Sequence, residues 1–126
     1  MRTIKFRGKC KDGTWVEGDL TGGDTIHIKP SWAQDGEYEW WGCPVDEKTA
    51  GQFIGMLDKN GKEIWEGDIV NYFYNNTSFR EGIIHRGIVN YSNENCCFLI
   101  ATDHVHEDWE ITVIGNIYDN PELLSI

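Results

Sequence analysis

The stretch Gly51-Gln52-Phe53-Ile54-Gly55-Met56-Leu57-Asp58-Lys59-Asn60-Gly61-Lys62-Glu63-Ile64-Trp65-Glu66-Gly67-Asp68-Ile69-Val70 decides the fold. Two turn signals punctuate it. Asp58-Lys59-Asn60-Gly61 ends in Asn-Gly, the pair that best tolerates the positive φ angles of a type I′ hairpin turn. Glu66-Gly67-Asp68 is the second. Around them lie a strand-like run from Thr49 to Leu57 with Gly51 and Gly55 as bends, the short Lys62-Glu63-Ile64-Trp65, and the apolar run from Ile69 to Tyr74. Short β-rich runs separated by glycine turns read as antiparallel strands and hairpins.

The same grammar extends in both directions. Ile4 to Cys10 alternates apolar and charged residues, Asp12-Gly13 interrupts, and Trp15 to Leu20 resumes, which predicts a first hairpin. Thr21-Gly22-Gly23-Asp24 reads as a turn, Thr25 to Lys29 as a short strand, Pro30 to Glu37 as loop and Tyr38 to Trp41 as another short strand before Gly42-Cys43-Pro44 breaks the pattern. Toward the C-terminus, a polar loop over 75–81 precedes a long strand from Gly82 to Tyr91, in which Gly87 marks a bulge or a close approach. Further strands are expected over Cys96–Ala101 and Trp109–Asn116. Asp119-Asn120-Pro121-Glu122 then has the form of a cap followed by a proline in the first helical position, predicting a short helical turn.

No apolar 3.6-residue period persists over a helix-length window, so the class is all-β: short antiparallel strands and hairpins. The layout of 51–126 suits a small SH3-like barrel, which would hide its sheet edges and bury alternate residues of each strand. In it Val70, Tyr72 and Tyr74 would share a face, as would Ile83, Val89 and Tyr91, Phe98 and Ile100, and Ile111 and Val113. Residues 1–50 form an N-terminal hairpin region, and the 126 residues make one domain. The decapeptide Lys11 to Leu20 echoes Lys59 to Ile69, both passing from a glycine turn through an aromatic to Glu-Gly-Asp, as a duplicated hairpin or two unrelated turns would.

Composition excludes more than it assigns. Twenty-one Asp and Glu against eleven Lys and Arg give a net charge of -10, an average that repels a phosphate backbone. Lys5, Arg7, Lys9 and Lys11 alternate and would project from one strand face; a solvated face is the expectation there, and nucleic-acid binding is disfavoured. No run approaches the roughly 20 apolar residues of a membrane span, and the N-terminus lacks the apolar core of a secretory signal. A cytoplasmic location in a host cell is expected, with Cys10, Cys43, Cys96 and Cys97 as free thiols.

The densest chemical cluster is Cys96-Cys97 with His104 and His106. The histidines, two apart, would face the same way on a strand, whereas adjacent cysteines point to opposite faces, so only one could join them. The paired Cys-x-x-Cys spacing of a zinc site is missing. The plainer reading is one core thiol and two solvated histidines. Asp103, Glu107 and Asp108 flank them, as chance allows in so acidic a chain. Phosphate-cradling glycine loops and a Gly-x-Ser-x-Gly elbow are absent. The expectation is no catalytic residue, no cofactor and no metal. Trp32, Trp40 and Trp41 stand among polar and acidic residues; Trp40 and Trp41 cannot both face one core, which makes the three tryptophans candidates for a protein interface.

The Gly51–Val70 run resembles the signature of the YopX family. So do the opening Ile4-Lys5-Phe6-Arg7-Gly8 and the ending Val113-Ile114-Gly115-Asn116-Ile117-Tyr118-Asp119-Asn120-Pro121-Glu122-Leu123-Leu124. The resemblance implies a bacteriophage or prophage origin and a β-rich fold, but no reaction. The expected function is that of a phage accessory protein binding a host or phage protein. The alternatives are a small metal-dependent enzyme using His104, His106 and nearby carboxylates, and an oligomeric scaffold, with a homo-oligomer formed through Trp40 or Trp41.

Overall fold

A computed structural model describes residues 3–21, 27–30, 43–74, 84–101, 103–105 and 109–124. The chain divides into two compact units, Met1–Phe53 and Ile54–Ile126.

In the first unit, β1 (Phe6–Lys9) and β2 (Trp15–Thr21) form an antiparallel hairpin with Phe6 opposite Gly18 and Lys9 opposite Trp15. Of the Asp12-Gly13 pair only the glycine takes a positive φ. Gly13 adopts φ +87°, and Asp12 Oδ1 accepts the Thr14 N–H at 2.9 Å. β3 (His27–Pro30) extends the sheet beyond β2, and β4 (Cys43–Pro44) extends it beyond β3. On the other side of β1 runs β5 (Asp46–Leu57), whose last residues belong to the second unit. The β1–β5 ladder shifts register between Arg7 and Lys9. Thr49 fills that irregularity: its hydroxyl accepts the Lys9 N–H at 2.8 Å and donates to the Asp46 carbonyl at 2.7 Å. Ile28, Val45, Thr49 and Phe53 are buried. Gly8 is required where Val45 comes closest, since a Cβ there would sit 2.7 Å from the valine methyl.

In the second unit the end of β5 and β6 (Glu63–Trp65) are neighbouring strands. Five further strands follow: β7 (Asp68–Tyr74), β8 (His85–Ser92), β9 (Cys97–Ile100), β10 (Asp103–His104) and β11 (Trp109–Asn116). They form one antiparallel sheet in the order β10-β9-β8-β7-β11, and a 3-10 turn over Pro121–Leu124 follows the last strand. The core gathers Ile54 and Ile64 with Val70, Tyr72, Val89, Ile100 and Ile111. A fully buried isoleucine such as Ile64 or Ile100 contributes about 1.5–3 kcal/mol through the apolar surface it removes from water. Gly87 is a close approach rather than a bulge: a Cβ would lie 2.9 Å from the Ile100 methyl that covers it.

The all-β class and the terminal helical turn are as the sequence predicts. The SH3-like barrel is corrected to an open sheet. Its edges are β10, which has two residues and is too short to carry a closing ladder, and β11, whose outer edge is occupied by a turn. That turn is Asp58-Lys59-Asn60-Gly61-Lys62. Lys59 N–H donates to the Ile111 carbonyl at 3.0 Å, and Asp58 Oδ2 accepts the Val113 N–H at 3.0 Å. Asp58 Oδ1 accepts the N–H groups of Asn60 at 2.8 Å and Lys62 at 2.9 Å. One buried carboxylate therefore shapes the hairpin turn and fastens it to a strand that follows 55 positions later.

The turn Glu66-Gly67-Asp68 is tied down in the same way. Gly67, at φ +87°, donates to the Val89 carbonyl and accepts from Ile117 N–H, while buried Asp68 accepts the Trp65 N–H at 2.8 Å. The Glu17-Gly18-Asp19 echo has no such role, for it lies inside β2. The two stretches share the conformation of their glycine turns, with Gly13 at φ +87° and Gly61 at φ +82°, and part company at Glu-Gly-Asp. At the C-terminus Asn116 Oδ1 accepts the N–H groups of Tyr118 and Asp119, and Asn120 Oδ1 accepts that of Asn116. The Asn120 side chain packs so closely over Gly115 that a Cβ there would meet its oxygen at 2.6 Å.

Asp58→Ala leaves three backbone N–H groups without this acceptor and should destabilise the protein by about 1–3 kcal/mol, read from urea unfolding. Burial is the largest influence on the Asp58 carboxyl and works against ionisation, but the N–H groups of Val113, Lys62 and Asn60, with the Lys62 charge, together hold it below its ordinary 3.8. A depressed folded value means the stabilisation is complete above the unfolded value and is lost as pH falls through the folded one. The wild type should therefore lose stability below about pH 4 more steeply than Asp58→Ala. Parallel acid limbs would contradict this.

Candidate functional site

β9 and β10 form a hairpin in which Ile100 opposes Asp103 and Leu99 opposes His104. Residues directly opposite each other in an antiparallel pair share a face, and so does the residue two positions along. Cys97 is therefore the diagonal neighbour of His104, and its Sγ lies 3.4 Å from His104 Nδ1. Cys97 is half-buried and His104 is exposed. Cys96, one residue earlier, is exposed, takes φ +55° and places its Sγ 3.6 Å from the Asn93 carbonyl. Of the two vicinal cysteines only Cys97 reaches the histidine. His106, Glu107 and Asp108 lie outside the described residues, as do Trp32, Trp40 and Trp41. Among the described residues no three His, Cys, Asp or Glu side chains gather as a metal site.

The strand of alternating cations in the first unit is not simply solvated. Arg7 Cζ stands 4.8 Å from the centre of the Trp15 ring, with Lys9 Nζ at 5.9 Å from it. Lys5 Nζ lies 5.2 Å from the Phe53 ring centre and 3.4 Å from Glu17 Oε1. Cations over aromatic faces are held by the ring quadrupole, worth about 0.5–1 kcal/mol each at exposed positions. The alternation is legible in the sequence, but its aromatic partners depend on strand register.

Near the β1 end of that sheet a cleft of about 800 Å³ is lined by Lys9, Cys10, Lys11, Val45, Asp46 and Thr49 among others. Burial, then the neighbouring Cys43 and Asp12, push the Cys10 thiol above its ordinary value. Thr49 braces this wall with its two hydrogen bonds. In the second unit three rings form a ladder: Trp109 stacks on Tyr72 at 4.9 Å between centroids, and Tyr72 on His85 at 5.4 Å. Tyr72 is a buried core residue and the flanking rings are half-buried, so the ladder joins β11, β7 and β8. Among the described residues no helix is long and apolar enough to cross a membrane.

The family model described as YopX protein matches residues 5–125. The chain belongs to the YopX family. A crystal structure of protein EF1440 from Enterococcus faecalis is similar over 98% of this chain and 99% of that one, with a TM-score of 0.55 and 22% sequence identity. At that identity the likeness speaks for the fold alone. No curated protein matches the sequence.

A raised Cys10 thiol carries less thiolate at neutral pH and should alkylate slowly. With limiting iodoacetamide at pH 8, mass spectrometry of the native protein should find Cys96 modified before Cys10. Urea should level the two, and Asp12→Asn should speed Cys10 by removing one of the charges that oppose its ionisation. Modification of Cys10 first would contradict this reading.

Proposed function

We propose that this member of the YopX family is a phage-encoded accessory protein that acts by binding another protein, of host or phage origin, rather than by catalysis. The observation that carries this reading is the use made of the polar residues in the family-like motifs. Asp58, Asp68, Asn116 and Asn120 each direct a carboxylate or amide oxygen at backbone N–H groups of turns and of the strands beside them. A carboxylate engaged in this way is a structural acceptor, poorly placed to exchange protons with a substrate. The motifs thus supply a scaffold, and a specific function falls to the stretches between them.

The stretch from Thr21 to Lys48 is such a region and carries Trp32, Trp40 and Trp41. Tryptophan is enriched among the anchors that dominate protein interfaces. The net charge of -10 favours a partner with a basic surface, since complementary charge speeds encounter and selects among partners. Such a partner could be one that ordinarily holds nucleic acid, whose place the acidic surface would take.

The test is capture from host lysate by the intact protein and by a Trp40→Ala, Trp41→Ala variant, followed by titration of any enriched protein in purified form. One protein enriched by the intact chain, binding it with a defined stoichiometry and at least about tenfold more weakly to the variant, is the expected result. Equal enrichment by both forms would remove the tryptophans from the interface. No enrichment over control would count against protein binding itself.

A further inference from the structure

We propose that Cys97 and His104 form an open two-ligand site for a borderline-soft divalent cation of the zinc class. The inference is independent of the protein-binding reading and needs no catalytic role. Its basis is the geometry of the β9–β10 hairpin. Zinc binds thiolate sulfur at about 2.3 Å and imidazole nitrogen at about 2.0–2.1 Å, so two such ligands at a tetrahedral angle stand about 3.5 Å apart. Cys97 Sγ and His104 Nδ1 stand 3.4 Å apart. An ion could be accepted between them with little movement of either side chain. Both ligands rest on paired strands, with Leu99 opposite His104 and Ser92 of β8 opposite Cys97, so the cost of assembling the pair is already met by the fold.

Ligand chemistry selects the class of ion. A thiolate and an imidazole suit zinc and its relatives, whereas magnesium and calcium require oxygen donors. No third His, Cys, Asp or Glu completes the set among the described residues, and His104 is exposed. The remaining positions fall to water or to donors outside the described residues. Binding exchanges the Cys97 thiol proton for the metal bond and releases that proton to buffer. The expectation of no metal rested on the missing Cys-x-x-Cys spacing; a diagonal pair on adjacent strands has no linear signature of that kind.

The experiment uses the full chain without an affinity tag, reduced and stripped with a chelator. Zinc chloride and, separately, magnesium chloride are titrated by calorimetry, and cobalt chloride is titrated with absorption as the readout. The wild type should bind one zinc and no magnesium, and the cobalt form should show thiolate-to-metal charge-transfer absorption. Cys97→Ser and His104→Gln should each weaken zinc by more than the roughly tenfold that loss of an outer-shell partner costs, while Cys96→Ser should leave it unchanged. Circular dichroism establishes that the variants fold, and the cobalt spectrum tests sulfur ligation without any variant. Absence of saturable zinc binding would overturn the proposal, as would binding that both variants retain or a cobalt spectrum without the thiolate band. In those cases the pair is only a thiol–imidazole contact.

Discussion

The carboxylate of Asp58 is the point on which the second unit turns. It is buried, and its two oxygens face two different parts of the chain: Oδ1 closes the hairpin turn through Asn60 and Lys62, and Oδ2 holds the Val113 N–H of β11. The turn thereby serves as the cover for an edge strand. β11 pairs with β7 on one side, and its other side would otherwise present a row of unpaired N–H and carbonyl groups, the usual template for unwanted strand addition. The Lys59 N–H on the Ile111 carbonyl completes the cover. Core packing follows from the same anchor, because Ile54 before the turn and Ile64 after it both join the cluster around Val70, Tyr72 and Ile111.

The other family-like blocks connect to this anchor. Val113, which Asp58 holds, opens the C-terminal block. Two residues later Gly115 lies beneath the Asn120 side chain. The same block returns to the second turn, since Ile117 N–H donates to the Gly67 carbonyl and the Tyr118 ring leaves only 3.0 Å for a Cβ on Gly67. Two sequence blocks separated by more than forty residues thus form one system of turns that interlock through backbone groups. Their asparagines and aspartates are explained by hydrogen bonding, Gly67 and Gly115 by close approach, and Gly55 and Gly61 by positive φ, and that is why they indicate a fold without indicating a reaction.

Local features were legible in the sequence. Asp12-Gly13 and Asn60-Gly61 mark tight turns and Pro121 opens the helical turn, and the alternation from Ile4 to Cys10 yields a strand. Only the glycine of each pair takes a positive φ, so Asn60-Gly61 does not adopt the expected type I′ geometry. Gly87 reads as a bulge or a close approach and is the latter. What was not legible depends on partners distant in sequence. Asp58 reads as a turn residue, and nothing local says that its second oxygen reaches Val113. Closure into a barrel depends on whether the last strands can pair, and β10 is too short for it. Lys5, Arg7 and Lys9 read as a solvated face because the rings of Trp15 and Phe53 meet them only once the register is set. The same holds for Cys97 and His104, brought together by the diagonal of one hairpin. Trp32, Trp40 and Trp41 stand outside the described residues, so the candidate interface rests on sequence.

The motifs form a scaffold fastened by backbone hydrogen bonds to buried carboxylates and half-buried amides, and its central element is the Asp58 clasp. Native-state amide hydrogen exchange, read residue by residue at neutral pH, tests it most directly. The amides of Asn60, Lys62 and Val113 should exchange slowly, Val113 at a rate close to that of core amides such as Val70, because opening them requires breaking the clasp. Rapid exchange at Val113, at the rate of an uncovered edge strand, would show that Asp58 does not close this edge and would contradict the account.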